Sequence, residues 1–282
     1  MKREAIAHLV AEHAISVRRA CAAVRLCRAA YYRQPERKQA ERDRPVVDAL
    51  NVVVDKHRRW GFWKCYDRMR LDGRPWNHKR VLRVYREMRL NLPRRTKKRI
   101  PTRQPQGLQV PAVPNAIWAL DFMSDALYHG RRFRTLNILD EGVREALEIV
   151  IDTSIPSGRV VRTLEQLASW RGLPEAIRCD NGPEIVSQVF VEWCEDHGVA
   201  VRYIQPGKPN QNAYVERFNR TYREEVLNAY LFEDLGQVRE ITYSWLRDYN
   251  DTRPHDALGR IPPSEFRRNL EKLENSTSGL ST

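Results

Sequence analysis

The sequence predicts an α/β protein in which a mixed sheet flanked by helices follows an all-α, basic region. Three observations predict it. Apolar residues recur at helical spacing as far as Leu90 and at strand spacing after Asn115. A basic, Pro-rich run separates the two textures. Charge divides at the same place: residues 1–110 carry 29 Lys and Arg against 10 Asp and Glu, a net of +19, and residues 111–282 carry 20 against 26, a net of −6.

With 282 residues, 41% of them hydrophobic, the chain has the material for about two domains. The dense positive field of its first part attracts polyanions, of which nucleic acid is the commonest large one. No run of about eighteen apolar residues occurs, and Met1-Lys2-Arg3-Glu4 opens a polar helical pattern, so a cytoplasmic protein is expected. A membrane surface is a poor partner, because the basic half has no strong amphipathic helix with a bulky apolar face. The five cysteines, Cys21, Cys27, Cys65, Cys179 and Cys194, never form CxxC, which speaks against a disulfide framework.

Residues 1–43 read as short helices. Ser16 is placed to cap "VRRACAAV", the chain breaks near Arg25-Leu26, and "CRAAYYR" follows, giving either a helix-turn-helix or a plain helical hairpin. Residues 44–98 form a second helical unit, which opens on "PVVDALNVVVDKHRRW", turns at Asp72-Gly73-Arg74-Pro75 and resumes as "NHKRVLRVYREMRL" with Asn77 as its cap. In that last helix Val81, Leu82, Tyr85 and Met88 share a packing face, which leaves Lys79, Arg80 and Arg83 to meet phosphate. Arg94, Arg95, Lys97 and Lys98 extend the DNA-facing set into the Pro-rich linker at 99–114, where four prolines block regular structure.

The unit at 115–235 opens on three strand-like runs, "AIWALDFMSDAL", "RRFRTLNILD" and "REALEIVIDTS", expected to be consecutive and antiparallel. Helix "SGRVVRTLEQLASWRG", strand "AIRCD", helix "SQVFVEWCEDHG", strand "VAVRYIQ" and a helix carrying Glu216 follow. Residues 236–282 complete the chain as a helical extension and tail, whose Trp245, Tyr249 and Phe266 are expected to pack on the core.

Three acids fall where such elements display them. Asp121 lies inside the apolar first strand, Asp180 ends the fourth just before Asn181-Gly182-Pro183, and Glu216 opens a helix. An acid within an apolar strand is costly unless something pairs with it, and a divalent cation does so. Hard oxygen ligands suit Mg²⁺, and carboxylates converging from separate elements can hold a metal pair for in-line phosphoryl transfer. Singly, such acids are more often caps or solvated ion pairs. Glu184 competes as third ligand, and reads better as a charge favoured by a helix N-terminus.

The blocks "WALDFMSDAL", "IRCDNGPEI", "QPGKPNQNAYVERFNRTYREE" and "YNDTRPHDALGRIPPSEF" resemble the DDE transposases of bacterial insertion sequences. The resemblance is to the second-frame (OrfB-type) product of the IS-three family, whose core is similar to retroviral integrases, and it covers nearly the whole chain. Between Asp180 and Glu216 stand 216 − 180 − 1 = 35 residues, the spacing of that family's acid triad. It implies an RNase H-like catalytic core, a mixed five-stranded sheet flanked by helices, behind an all-α DNA-binding region. It also implies two Mg²⁺ or Mn²⁺ per active site, held by Asp121, Asp180 and Glu216, and metal-dependent cleavage and strand transfer at element ends. Lys208, Asn210, Gln211 and Asn212 on the preceding loop, with Arg217, Asn219 and Arg220 on the helix, are then placed to meet DNA, and Arg223 to face its phosphates.

The partners so implied are double-stranded DNA, further copies of the chain and the first-frame protein of the same element, with a nucleoid location. Gly142-Val143 departs from the pattern, standing where relatives show an aromatic and an asparagine. A non-catalytic regulator and an RNase H-type nuclease remain as alternatives. His8, His13, Cys21 and Cys27 echo a zinc set, but their spacing is wrong and core packing is expected instead. Trp60, Phe62, Trp63 and Trp76 are likewise expected in a core.

Overall fold

The computed structural model describes residues 2–32, 39–93, 110–205 and 212–278. At the N-terminus, α1 (Lys2–His13), α2 (Val17–Ala23) and α3 (Arg28–Tyr32) close a small core around Ile6, Ala20 and Cys21. Ser16 stands at the N-cap of α2 without a side-chain capping bond. The expected break falls at Arg25, which takes a φ of 51°.

The second helical unit comprises α4 (Gln39–Lys56), α5 (Phe62–Leu71) and α6 (His78–Glu87), and α4 begins at Gln39, running through Pro45 where a start had been expected. Asn77 caps α6 as its sequence indicates, its Oδ1 accepting from the Lys79 amide at 2.8 Å. Val46, Leu50, Trp60, Met69, Val81, Val84 and Tyr85 form the core of the unit, with Phe62 and Trp76 packed against it. Trp63 departs from the expected core: it is 48% exposed and lies beneath the Arg260 guanidinium, 5.1 Å from the ring centre.

Beyond the linker, β1 (Ile117–Ala126), β2 (Arg132–Asp140) and β3 (Glu145–Asp152) pair antiparallel, as their sequence order suggested. β4 (Ala176–Cys179) then joins the far edge of β1 in parallel, and β5 (Ala200–Tyr203) joins β4, giving the order β3-β2-β1-β4-β5. Parallel neighbours need crossovers, which α7 (Ser157–Arg171) and α8 (Gln188–Asp196) supply. This order and these directions make an RNase H-like core.

The two faces of the sheet bury different partners. Trp118, Leu120 and Phe122 of β1 pack with residues of α7 and α8, such as Leu164, Leu167, Phe190 and Trp193. Ala119 and Met123 face the other way, toward Val215, Phe218 and Tyr222 of α9 (Ala213–Tyr222) and Tyr249 of α10 (Leu235–Asp251), with Trp245 packed beside them. Side chains alternate along a strand, so Asp121 shares the α9 face. After Tyr222 the helix widens into a π turn over Arg223–Leu227, the kind of interruption that recurs at functional sites.

Gly142 turns out to be a packing requirement. A Cβ there would collide with the carbonyl oxygen of Val113 and come within 2.9 Å of its carbon, so the end of the linker can lie against the β2–β3 turn only over a glycine.

The α4–α6 unit docks on the end of α10 and the segment after it. Lys56 Nζ donates to Asp248 Oδ1 at 2.7 Å, Lys64 Nζ to the Pro254 carbonyl at 3.0 Å, and Arg68 Nη1 to the Thr252 carbonyl at 3.4 Å. Two histidines sit at this junction. Burial pushes His255 down to about 3, with Arg253 and Lys64 acting in the same direction, and burial likewise pushes His57 down to about 4. Both stay neutral in the fold, whereas an unfolded histidine protonates near 6.5. Below that value the unfolded chain binds more protons, so stability present above about pH 6.5 is lost as the pH falls toward 4. The expected result is a lower denaturant midpoint at about pH 5 than at about pH 7, with a smaller difference in His255→Gln.

Candidate active site

Asp121 is fixed by an amide relay. Its Oδ1 accepts from the Phe122 amide at 2.9 Å and its Oδ2 from Asn219 Nδ2 at 2.6 Å. Asn219 Oδ1 in turn accepts from Nδ2 of Asn137 at 2.6 Å, and Asn137 is the cross-strand partner of Asp121 on β2. The relay sets both the rotamer of the carboxylate and the side of α9 that presses on the sheet.

The other two acids approach from separate elements. β4 pairs with β1 in a register ending at Ala119 opposite Arg178, which directs the chain after β4 toward Asp121, and the charge of Asp180 acts on that carboxyl. The peptide then turns back on itself, with the Gly182 amide donating to Asp180 Oδ1 at 3.2 Å. Glu216 lies in the first turn of α9. Burial pushes the Asp121 carboxyl up to about 6, and the negative charges of Asp180 and Glu216 push it the same way. Asp180 and Glu216 are therefore each close enough to act on Asp121, and both are exposed to solvent.

This arrangement suits cations. Among the described residues the only three ligand atoms of His, Cys, Asp or Glu all within 4.8 Å of one another belong to His8, Glu12 and His13, so the acid trio is wider than one ion's ligand shell. The all-carboxylate donor set is of the kind that suits hard divalent cations. Glu184 is held elsewhere: it pairs with Arg134, whose guanidinium lies 4.6 Å from the Phe122 ring centre. Burial, the largest single influence, raises its carboxyl, but the hydrogen bond and charge of Arg134 together with a backbone hydrogen bond outweigh it and hold the group below the ordinary range.

The residues assigned to DNA separate into several groups. Arg94, Arg95, Lys97, Lys98, Lys208, Asn210 and Gln211 lie outside the described residues. Lys79, Arg217 and Arg220 are exposed. Arg80 and Arg83 hold the helices together: Arg80 Nε donates to Asp43 Oδ1 at 2.8 Å and Arg83 Nη2 to Asp43 Oδ2 at 2.6 Å, tying α6 to α4 across the buried Asp43. Asn212 is 4% exposed at the start of α9, so its side chain is not at the surface.

Three expectations need correction. Asn219 is buried against Asp121 and does not face DNA. Arg223 reaches back to Asp125 Oδ2 at 3.0 Å and to the Ser124 carbonyl, so it clamps the end of α9 to β1. Of the four residues once compared with a zinc set, only Cys21 is buried; His8, His13 and Cys27 are exposed, because α1–α3 are too short to enclose them. Asn137 is a site residue that sequence reasoning missed, and Asn219 one to which it gave a different role. Their signal, polar side chains on apolar strand and helix faces, becomes readable only once the two elements are known to meet.

The relay makes a measurable claim. Asn219→Ala frees one oxygen of Asp121, and groups that orient a metal ligand are typically worth 10- to 100-fold. A fall of about that size is expected in any activity that depends on the Asp121 carboxylate, with duplex binding unchanged in a filter or anisotropy assay.

Comparison with known proteins follows the same division of the chain. Residues 41–99 match the HTH-like domain, and residues 111–209 and 197–263 match two models of the Integrase core domain. A 39.2 kDa protein of insertion element IS476 from Xanthomonas euvesicatoria is 39% identical over 95% of this chain and 77% of its own length. A 31.7 kDa protein of insertion element IS407 from Burkholderia multivorans is 38% identical over 89% of this chain and 90% of its own. Among solved structures, the HTLV-2 integrase catalytic core in complex with magnesium aligns with a TM-score of 0.46 at 21% identity, covering 57% of this chain and 99% of that one. The chain belongs to the IS-three family of bacterial insertion-sequence transposases, with an HTH-like domain followed by an integrase core.

Proposed function

We propose that this chain is a polynucleotidyl transferase that cuts DNA at insertion-sequence ends and joins the freed 3′ ends to a target. The observation that carries this reading is the convergence of Asp121, Asp180 and Glu216 from β1, the end of β4 and α9, with Asp121 pushed up to about 6 by burial and by the other two charges. The three carboxylates would hold two Mg²⁺ or Mn²⁺ ions, whose chemistry is to activate the attacking oxygen and stabilise the leaving one. Asn219 holds the Asp121 carboxylate in one orientation, and the exposed Arg217 and Arg220 lie on the same helix to neutralise phosphate.

The division into 1–43, 44–98, 99–114, 115–235 and 236–282 assigns DNA capture to the basic helical units and chemistry to the sheet. Among the described residues no helix is long and apolar enough to cross a membrane, and the reading places the protein in the bacterial cytoplasm on the nucleoid. Further copies of the chain and the first-frame protein of the element complete the assembly on DNA. Strand transfer by the purified chain on a labelled duplex carrying an element end tests the proposal. Joined products that require both Mg²⁺ and Asp180, and vanish with EDTA or Asp180→Asn, are expected. Salt-sensitive DNA binding without such products would favour the non-catalytic regulator.

A further inference from the structure

A cavity of about 350 Å³ lies where the α4–α6 unit meets the sheet domain. Its wall includes Lys64 from α5, Arg144 from the β2–β3 turn, Arg217 from α9, and Arg253 and His255 from the segment after α10. Asp256 is the one acid among the lining residues. Four cations from four parts of the chain thus share one space.

Among the described residues Lys64, Arg144 and Arg217 have no hydrogen bond to a carboxylate. Arg253 has its own carboxylate, with Nη1 2.7 Å from Glu225 Oε2. Among the described residues the ammonium of Lys64 donates to a neutral carbonyl, that of Pro254. Arg144 stacks its guanidinium 3.4 Å from the centre of the Tyr214 ring, and its Nη1 is buried without a hydrogen-bond partner. Nε2 of His255 is buried and unpartnered as well. Burial pulls Lys64 down to about 8, and the charges of Arg253 and Arg217 pull the same way against the opposing charges of Asp256 and Glu225. Like charges held together in a partly desolvated space favour the entry of an anion.

We propose that this cavity is a phosphate-binding subsite that grips the DNA backbone on the Arg217 side of α9. The inference rests on the DNA-processing reading above. Arginine forks and a lysine point charge are the groups that recognise phosphate oxygens, and DNA presents a phosphate at every nucleotide step. Glu216 and Arg217 are consecutive on α9, about 100° apart around the helix, so a strand whose reacting phosphate lies at Glu216 can set a neighbouring phosphate at Arg217. Lys64 belongs to the HTH-like unit and Arg144 and Arg217 to the core, so one bound phosphate holds the two units in register.

The test uses the full chain, a labelled duplex and a salt titration. Each phosphate contact contributes about 0.9 to the slope of log affinity against log salt, so Lys64→Gln and Arg144→Gln should each lower the slope by about one. Arg144→Lys keeps the charge and should keep the slope. Unchanged slopes and affinities in both glutamine variants overturn the proposal, and so does a loss in Arg144→Lys as large as in Arg144→Gln, which would mark a structural role. Melting in potassium phosphate against potassium chloride at matched ionic strength identifies the source of the anion. A rise that vanishes in Arg144→Gln extends the site to free phosphate, and no rise beside a changed DNA slope assigns it to phosphodiester alone. Asp180→Asn should leave the slope intact. Wild-type protein that joins no DNA yet shows the slope loss in the variants would remove the transferase reading and leave the subsite standing.

Discussion

Glu216→Gln is expected to lower strand transfer about 10³-fold or more while the protein melts and binds duplex as before. The magnitude follows from losing one ligand of ions that stabilise transition-state charge by several kcal/mol, at tenfold per 1.4 kcal/mol. Glu216 is exposed, so the amide removes a charge without opening a cavity. It also removes one of the two charges that raise Asp121, so the Asp121 carboxyl should titrate lower in the metal-free variant. Single-turnover joining assays and anisotropy on one protein preparation separate chemistry from binding. Full strand transfer in this variant would sink the assignment of Glu216.

Arg171→Ala is expected to carry the largest cost in stability. Arg171, at the end of α7, places Nη2 3.1 Å from Asp140 and Nη1 2.6 Å from Glu145, and its side chain is 4% exposed while that of Asp140 is fully buried. Arg267 reaches Glu145 at 3.0 Å from α11 (Pro263–Ser278), so this knot ties α7, the β2–β3 turn and the C-terminal helix together. Removing its central cation leaves buried carboxylates short of a partner, which costs about 3–5 kcal/mol. At roughly 2–4 °C per kcal/mol for a chain of this size, the melting temperature should fall by about 10 °C. Calorimetry at neutral pH measures it, and a loss of only a degree or two would show that solvent reaches the knot. Arg171 lies outside the acid trio, so joining activity measured well below the melting range should persist.

Much of the molecule is written in short-range pattern. The change from helical to strand spacing, the three antiparallel strands, the short strand before Asp180 and the Asn77 cap depend on neighbours a few residues away, and the sequence displays them directly. The acids were legible too, since a carboxylate inside an apolar strand and another beside an Asn-Gly-Pro turn are locally anomalous. What the chain order could not display is which side chain meets which across long separations. Arg80 and Arg83 look like any solvated basic face until α4 brings Asp43 beneath them, and Asn219 looks like a DNA contact until α9 lies over β1. Gly142 looks like a departure from a pattern until the end of the linker arrives on top of it. The sequence alone determined the elements, the charge division and the three acids, because periodicity and side-chain chemistry are local properties. Only the tertiary structure decided which cations are already paired, which amides hold Asp121 and which charges share the cavity beside α9, because each depends on a contact between distant parts of the chain.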